Sequence, residues 1–382
     1  MPLLLPQVWL LLEEKRIPYK VSKINMRSYG DKPAWFTNKV PGGFLPVIEL
    51  DGDLVTESLV IMQTLDQTFP QGPPMVPPAG SKDRDSAQRL LQLERQLFGA
   101  WCSLTFQPGK GLLDSNERNF VSTLKKVDEA LLATPGPWFL GGDAPSLVDL
   151  QYISHVERMI ASVLYWKNLK LRGTGEYKGL EAWLAAFEER PSYLATKSDY
   201  YTHIKDIPPQ YGPGWSIPEA DEVAKVIGGQ GDSWKLPLAL SDRVEFLAPL
   251  QLPSAEAGRH EAAYKLTSNS KGVARFAARG AGTPGGWSGP GKAELADPYA
   301  KPNEEMVAAV DVCLRHVAAA LLDGTDGEVA TAAAADLKGV DQSGALASCL
   351  GYLRDRIGVP RDMGQAAALE LRAHLNWAMS QM

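Results

Sequence analysis

Between Pro70 and Pro78 the chain reads PQGPPMVPP, five prolines in nine residues. Proline locks φ and carries no amide hydrogen, so neither a helix interior nor a central strand can run through such a stretch. The segment reads as a stiff linker, and it divides two different textures. Before it, helix and strand signals alternate; after it, to about Ser198, only helical periodicity is found. With 382 residues, 45% of them hydrophobic, the chain is too long for one ordinary domain. Three blocks follow: residues 1–70, 71–205 and 206–382.

In the first block VWLLLEEK opens an amphipathic helix near Val8. Tyr19–Met26 (YKVSKINM) reads as a short strand, followed by a polar loop with KPAWF and a turn at VPGG. LPVIEL and DLVTES read as strands joined at Asp51-Gly52, the dipeptide of a tight hairpin. SLVIMQTLDQTF reads as an amphipathic helix.

The second block begins with SKDRDSAQRLLQLERQLFGAWCSLTF, whose Leu90, Leu93, Leu97 and Trp101 follow the helical period. Further helices are expected over 116–132 and 179–189, the last ending before Pro191. Ser146 followed by Asp149 at the head of LVDLQYISHVERM is a capping-box pattern with an acidic third residue.

In the third block, residues 206–255 are broken by Pro and Gly and show only short β-like runs. Helices are expected over 256–279, over 303–322 with Asn303 as cap, over 341–357 and over 364–379.

Charge and cysteine content exclude several classes. The formal net charge is −6, and the 206–382 block alone holds 16 basic against 22 acidic residues. Nothing favours binding along a nucleic acid. No apolar run approaches the ~20 residues that span a bilayer. Cys102, Cys313 and Cys349 are far apart without a C-x-x-C, which fits a reducing compartment. The histidines at 155, 203, 260, 316 and 374 are scattered, so no metal site is expected. GWSGPGKA approaches a phosphate loop through Gly286, Gly291 and Lys292. Ala293 stands where the metal-binding hydroxyl belongs and no strand precedes it, so that reading is set aside. Tyr200, Tyr201, Tyr211 and Trp215 could line an acceptor pocket, although aromatic side chains ordinarily serve the core.

One constellation carries chemistry: KPAWF, LPVIEL and TES, spanning Lys32 to Ser58. A proline directly before a β run is unusual, and a cis peptide at the strand entrance is one solution. Glu57-Ser58 lies where a strand passes into a helix, and free amides there can hold a carboxylate. The alternative is a satisfied turn and a helix cap.

These residues, with FLGGDAPSLVDL further on, resemble the cytosolic-type glutathione transferases over about residues 1–205. The spacing from Lys32 through Leu45-Pro46 to Glu57-Ser58 is similar to the omega-type and related cysteine classes. The tail, with YLRDRIGVPRDM, looks like the C-terminal extension of iota-type transferases. The resemblance implies an α/β plus all-α architecture. A thioredoxin-like glutathione-binding domain (1–70) leads, an all-helical domain (71–205) follows, and a mainly helical extension (206–382) ends the chain. It implies glutathione as co-substrate, with the backbone of Leu45 beside cis Pro46 pairing its cysteinyl part. Glu57 and Ser58 would hold the γ-glutamyl end, and Lys32 would face the glycyl carboxylate. A small electrophilic or disulfide acceptor, a homodimer, and a plastid or cytoplasmic location are implied in the same way.

The nucleophile breaks the pattern. The cysteine classes carry C-P-x-C just before the first helix, where the dipole stabilises a thiolate. Counting back from Val8-Trp9 places Pro2-Leu3-Leu4-Leu5 there, and none can ionise. Tyr19 and Ser22 come after the helix, and Cys102 falls on an expected core helix. The resemblance also implies a central first strand, which the residues before Val8 are not expected to supply, and each buried backbone group so orphaned would cost about 1–3 kcal/mol. The preferred expectation is a natural form with further residues at the N-terminus, because every later element reads as intact. The alternative is a noncatalytic binding or assembly module on the transferase fold.

Overall fold

The structure is a computed structural model that describes residues 6–25, 30–238, 255–286, 293–338 and 343–382. The contacts divide the chain into two units.

The first unit runs to Lys197 and regains Pro213–Asp221. It opens with α1 (Pro6–Glu14), α2 (Ala34–Lys39), β1 (Val47–Leu50), β2 (Asp53–Thr56) and α3 (Ser58–Thr68). β1 and β2 are antiparallel, with Val47 opposite Thr56 and Leu50 opposite Asp53. Asp51 and Gly52 turn between them with φ of 51° and 95°, as a two-residue hairpin demands. Among the described residues these are the only two strands. Residues 19–25 of the expected strand form no sheet. Among the described residues no partner ladder stands beside them, and a lone extended segment gains nothing from strand geometry. Met26 lies outside the described residues. α2 takes the place of the expected polar loop, entered through Pro33 with φ −58°.

The helical part comprises α4 (Lys82–Phe106), α5 (Lys110–Leu132), α6 (Leu147–Lys167), α7 (Lys178–Glu188) and α8 (Pro191–Thr196). Ser81 caps α4 by accepting from the Arg84 amide at 3.2 Å. α6 is buried along nearly its whole length, so it forms the axis of this unit. Its start is the capping box read from the sequence. The Asp149 carboxylate accepts from the Ser146 amide at 2.8 Å and hydroxyl at 2.7 Å. It also receives the Phe139 amide and the Trp183 indole N–H, at 3.1 and 2.9 Å.

The proline run is docked rather than free. Asp66, near the end of α3, accepts the amides of Met75 and Val76 at 3.1 and 3.0 Å. Met75 is buried, and its carbonyl takes the Leu147 amide at 2.9 Å.

The second unit holds Ser198–Gly212 and Glu222–Met382. Its helices are α9 (Tyr200–Asp206), α10 (Pro208–Tyr211), α11 (Asp221–Ile227), α12 (Ala255–Ser268), α13 (Ser270–Ala277), α14 (Val307–Asp323), α15 (Glu328–Leu337), α16 (Ser343–Arg354) and α17 (Gln365–Ser380). The β-like runs expected after residue 206 are absent over 206–238. Prolines there stand in the first turn of α10 and of a short 3-10 turn, Pro218–Ala220, where their fixed φ starts a helix. The phosphate-loop look-alike lies largely within 287–292, outside the described residues.

Alanine-rich helices α12 to α17 close around Val310, Leu321, Leu350 and Leu371. The YLRDRIGVPRDM loop is fixed by its backbone. Val359 donates to Thr202 Oγ1 at 3.0 Å and accepts from Ser198 Oγ at 2.5 Å. Arg372 reaches Asp199 and the Ile357 carbonyl, under the rings of Tyr201 and Trp234. Tyr201 is therefore a packing residue.

Candidate functional site

The hairpin decides where the sequence-derived residues stand. Its register pairs Val47 with Thr56, so Pro46, just before β1, and Glu57, just after β2, stand at the same end of the hairpin. The Leu45–Pro46 peptide is cis. The Leu45 side chain packs onto Ile24, Phe36 and Val40, which leaves its backbone as the part available to a ligand. Ser58 is the first residue of α3, where amides have no intrahelical partner and the dipole end is positive.

Glu57 has φ 66° and ψ 115° and makes no side-chain cap bond. A non-glycine residue in this region costs on the order of 1–3 kcal/mol, held by its surroundings. The side chain is exposed. Lys32 is half-buried, and its ammonium donates to the Gly43 carbonyl, two residues before Leu45. The fold thus gathers all five residues onto the open end of one hairpin and the loop leading into it.

α1 is fastened at its C-terminal end by two ion pairs the sequence reading did not foresee. Lys15 Nζ meets Asp66 Oδ1 at 2.5 Å, both side chains buried. Glu14 takes the Arg190 guanidinium in a two-point contact, Nε at 2.7 Å, and the Ser192 hydroxyl. The signal was a charged Glu14-Lys15 pair closing an apolar helix, which reads equally well as a solvated end. A buried pair also joins α4 to α6, with His155 Nδ1 2.5 Å from Glu94 Oε1.

The nucleophile positions Pro2–Leu5 lie outside the described residues. The alternatives are chemically spent. The Tyr19 hydroxyl donates to Glu13 and accepts from Trp9 Nε1; burial and Glu13 push it up to about 12. Burial pushes the Cys102 thiol up to about 11, away from the thiolate a nucleophile needs. Among the described residues no group of three or more His, Cys, Asp or Glu could hold a metal ion. Among them, too, no helix is long and apolar enough to cross a membrane.

Known proteins extend this picture. The family model for the glutathione S-transferase N-terminal domain matches residues 7–68, and that for the C-terminal domain matches 111–186. Glutathione S-transferase DHAR2 of Arabidopsis thaliana is 32% identical over 42% of this chain and 68% of its own. Glutathione S-transferase L3 of the same plant is 30% identical over 50% of this chain and 77% of its own. The solved omega 3C glutathione transferase of Trametes versicolor superposes with a TM-score of 0.44 at 24% identity, covering 50% of this chain and 79% of its own.

Proposed function

The chain belongs to the glutathione S-transferase family, and from that premise we propose that Lys32, Leu45, Pro46, Glu57 and Ser58 bind glutathione. The observation that supports this most is the antiparallel hairpin, which brings Pro46, just before β1, and Glu57, just after β2, to the same open end. It sets a backbone edge beside a carboxylate and the free amides of α3. Glutathione offers matching groups. Its peptide can pair with the Leu45 backbone, its α-ammonium with Glu57, its α-carboxylate with Ser58 and the α3 amides, and its glycyl carboxylate with Lys32.

Thiol transfer in the cysteine classes needs a low-pKa thiolate at the head of α1 to attack a glutathione mixed disulfide or an electrophilic acceptor. Residues 2–5 supply no such group, and Cys102 is not one. The chain as it stands is therefore assigned binding without turnover. Titration calorimetry with reduced glutathione is expected to show saturable binding that Glu57→Ala weakens at least tenfold. A coupled assay with a glutathionylated peptide is expected to show no turnover. Absence of binding would overturn the assignment in favour of an assembly module. Turnover at ordinary transferase rates would overturn the noncatalytic part.

A further inference from the structure

The segment Pro213–Asp221 packs within the first unit, although Ser198–Gly212 and Glu222–Met382 on either side belong to the second. What holds it is specific. Helices α4 and α6 end with carbonyls that have no intrahelical donor. The Trp215 amide takes the Thr105 carbonyl at 2.8 Å, and the Ile217 amide takes the Trp166 carbonyl at 3.1 Å. Two helix ends are thus capped by one passing strand of chain. Lys167, the last residue of α6, closes the arrangement from the other side. Its Nζ donates to the Trp215 carbonyl at 2.5 Å and stands 4.1 Å from the centre of the Trp215 ring. Gly214 fits flat on Trp166, where a Cβ would stand 2.2 Å from the indole.

We propose that Pro213–Ile217 is a proton-sensitive clasp, closed over the ends of α4 and α6 and opening more readily as Lys167 takes up a proton. Lys167 is only 4% exposed, so its ammonium is shut away from most of the water that would stabilise it. The half-buried Glu117 on α5 is the charge that pulls the other way. α4 presents no charge in its last turn, the clasp itself contains none, and Glu219 and Asp221 just beyond it are exposed. Burial outweighs Glu117 and brings the Lys167 ammonium down to about 8.

The sign follows from linkage. Opening rehydrates the amine and restores its ordinary value near about 10.4. The open state therefore binds the proton more tightly, so opening becomes more favourable as the pH falls from about 10.4 to about 8 and levels off below that, where the closed state is protonated as well. The ring contact with Trp215 favours the charged closed state. It offsets part of the burial penalty.

The test is hydrogen exchange by mass spectrometry on the full chain, following the peptide that contains Trp215 and Ile217 from pH 6.5 to 9.5. Rates are corrected for intrinsic chemistry. Clasp opening is expected to be roughly thirtyfold more frequent at the acid end than at the alkaline end, with most of the change between pH 9.5 and about 8. Lys167→Met, never charged, should hold the slow rate at every pH. Lys167→Arg, always charged, should hold the fast one. Gly214→Ala should loosen the clasp across the whole range, while a core peptide spanning Leu97–Leu104 stays protected and reports an intact fold. A pH-independent wild type, or a Lys167→Met chain that keeps the wild-type profile, would overturn the proposal. Unchanged exchange in Gly214→Ala would show that the clasp is not held as described and would also overturn it.

Discussion

Asp149 and Glu57 are both acids at the start of a helix, and they are used in opposite ways. Asp149 is fully buried and receives two amides, a hydroxyl and an indole N–H. Every lone pair it can offer is committed to joining the loop before α6 to α7. Glu57 precedes α3 in a backbone conformation that disfavours side chains. It stays exposed and caps nothing. The first acid belongs to the fold; the second stays available to a ligand, and its φ marks what that placement costs.

The strongest way to break this contrast is to remove Asp149. Asp149→Ala leaves the Phe139 and Ser146 amides and the Trp183 indole without an acceptor. A loss of about 3–5 kcal/mol is expected, read as a lower urea midpoint. A third acid separates burial from pairing. Asp206, at the end of α9, is buried, and its Oδ1 has no hydrogen-bond partner among the described residues. Burial, against the pull of Arg361, pushes its carboxyl up to about 7. Between its ordinary value of roughly 3.9 and about 7, the folded state holds a proton that the unfolded state has lost. Stability from this residue is present at acid pH and declines as the pH rises through that window. Asp206→Asn is therefore expected to stabilise by about 3–4 kcal/mol at pH 8 and by almost nothing at pH 4. Equal effects at both values would show that the carboxylate is hydrated in place.

The same contrast explains what could be read from the sequence. The Ser146/Asp149 box, the Asp51-Gly52 hairpin and the Leu97–Trp101 face are local patterns, and local patterns fix their own geometry. That Leu45-Pro46 and Glu57 come to one end was legible because they flank that one hairpin. α15 (EVATAAAADL) was missed because alanine favours helix without marking a face. The run YKVSKINM has strand composition, but a strand is a property of a pair, and its partner is not written in its own residues. The Lys15–Asp66 and Arg190–Glu14 pairs join residues 51 and 176 positions apart, beyond the reach of any periodicity. The docking of the proline run on Asp66 was hidden for the same reason.

Two smaller effects sharpen the comparison from the Glu57 side. Glu57→Gly removes the side chain that a positive φ disfavours. It is expected to stabilise the chain by about 0.5–1 kcal/mol in the same urea experiment, the opposite sign to Asp149→Ala. Glutathione affinity should fall at least tenfold at the same time, because a charge-assisted contact with the ammonium is lost. A destabilised Glu57→Gly chain would mean that the carboxylate serves the fold after all.

Lys32 provides the finest distinction. Its ammonium already donates to the Gly43 carbonyl, so facing a glycyl carboxylate would use its remaining donors and add only a partly hydrated contact. Lys32→Met is expected to weaken glutathione binding about threefold to tenfold by calorimetry. It should leave γ-glutamylcysteine, which lacks the glycine, almost unaffected. A variant that weakened both ligands equally would place Lys32 with Asp149, as a residue that shapes the loop rather than one that meets the ligand.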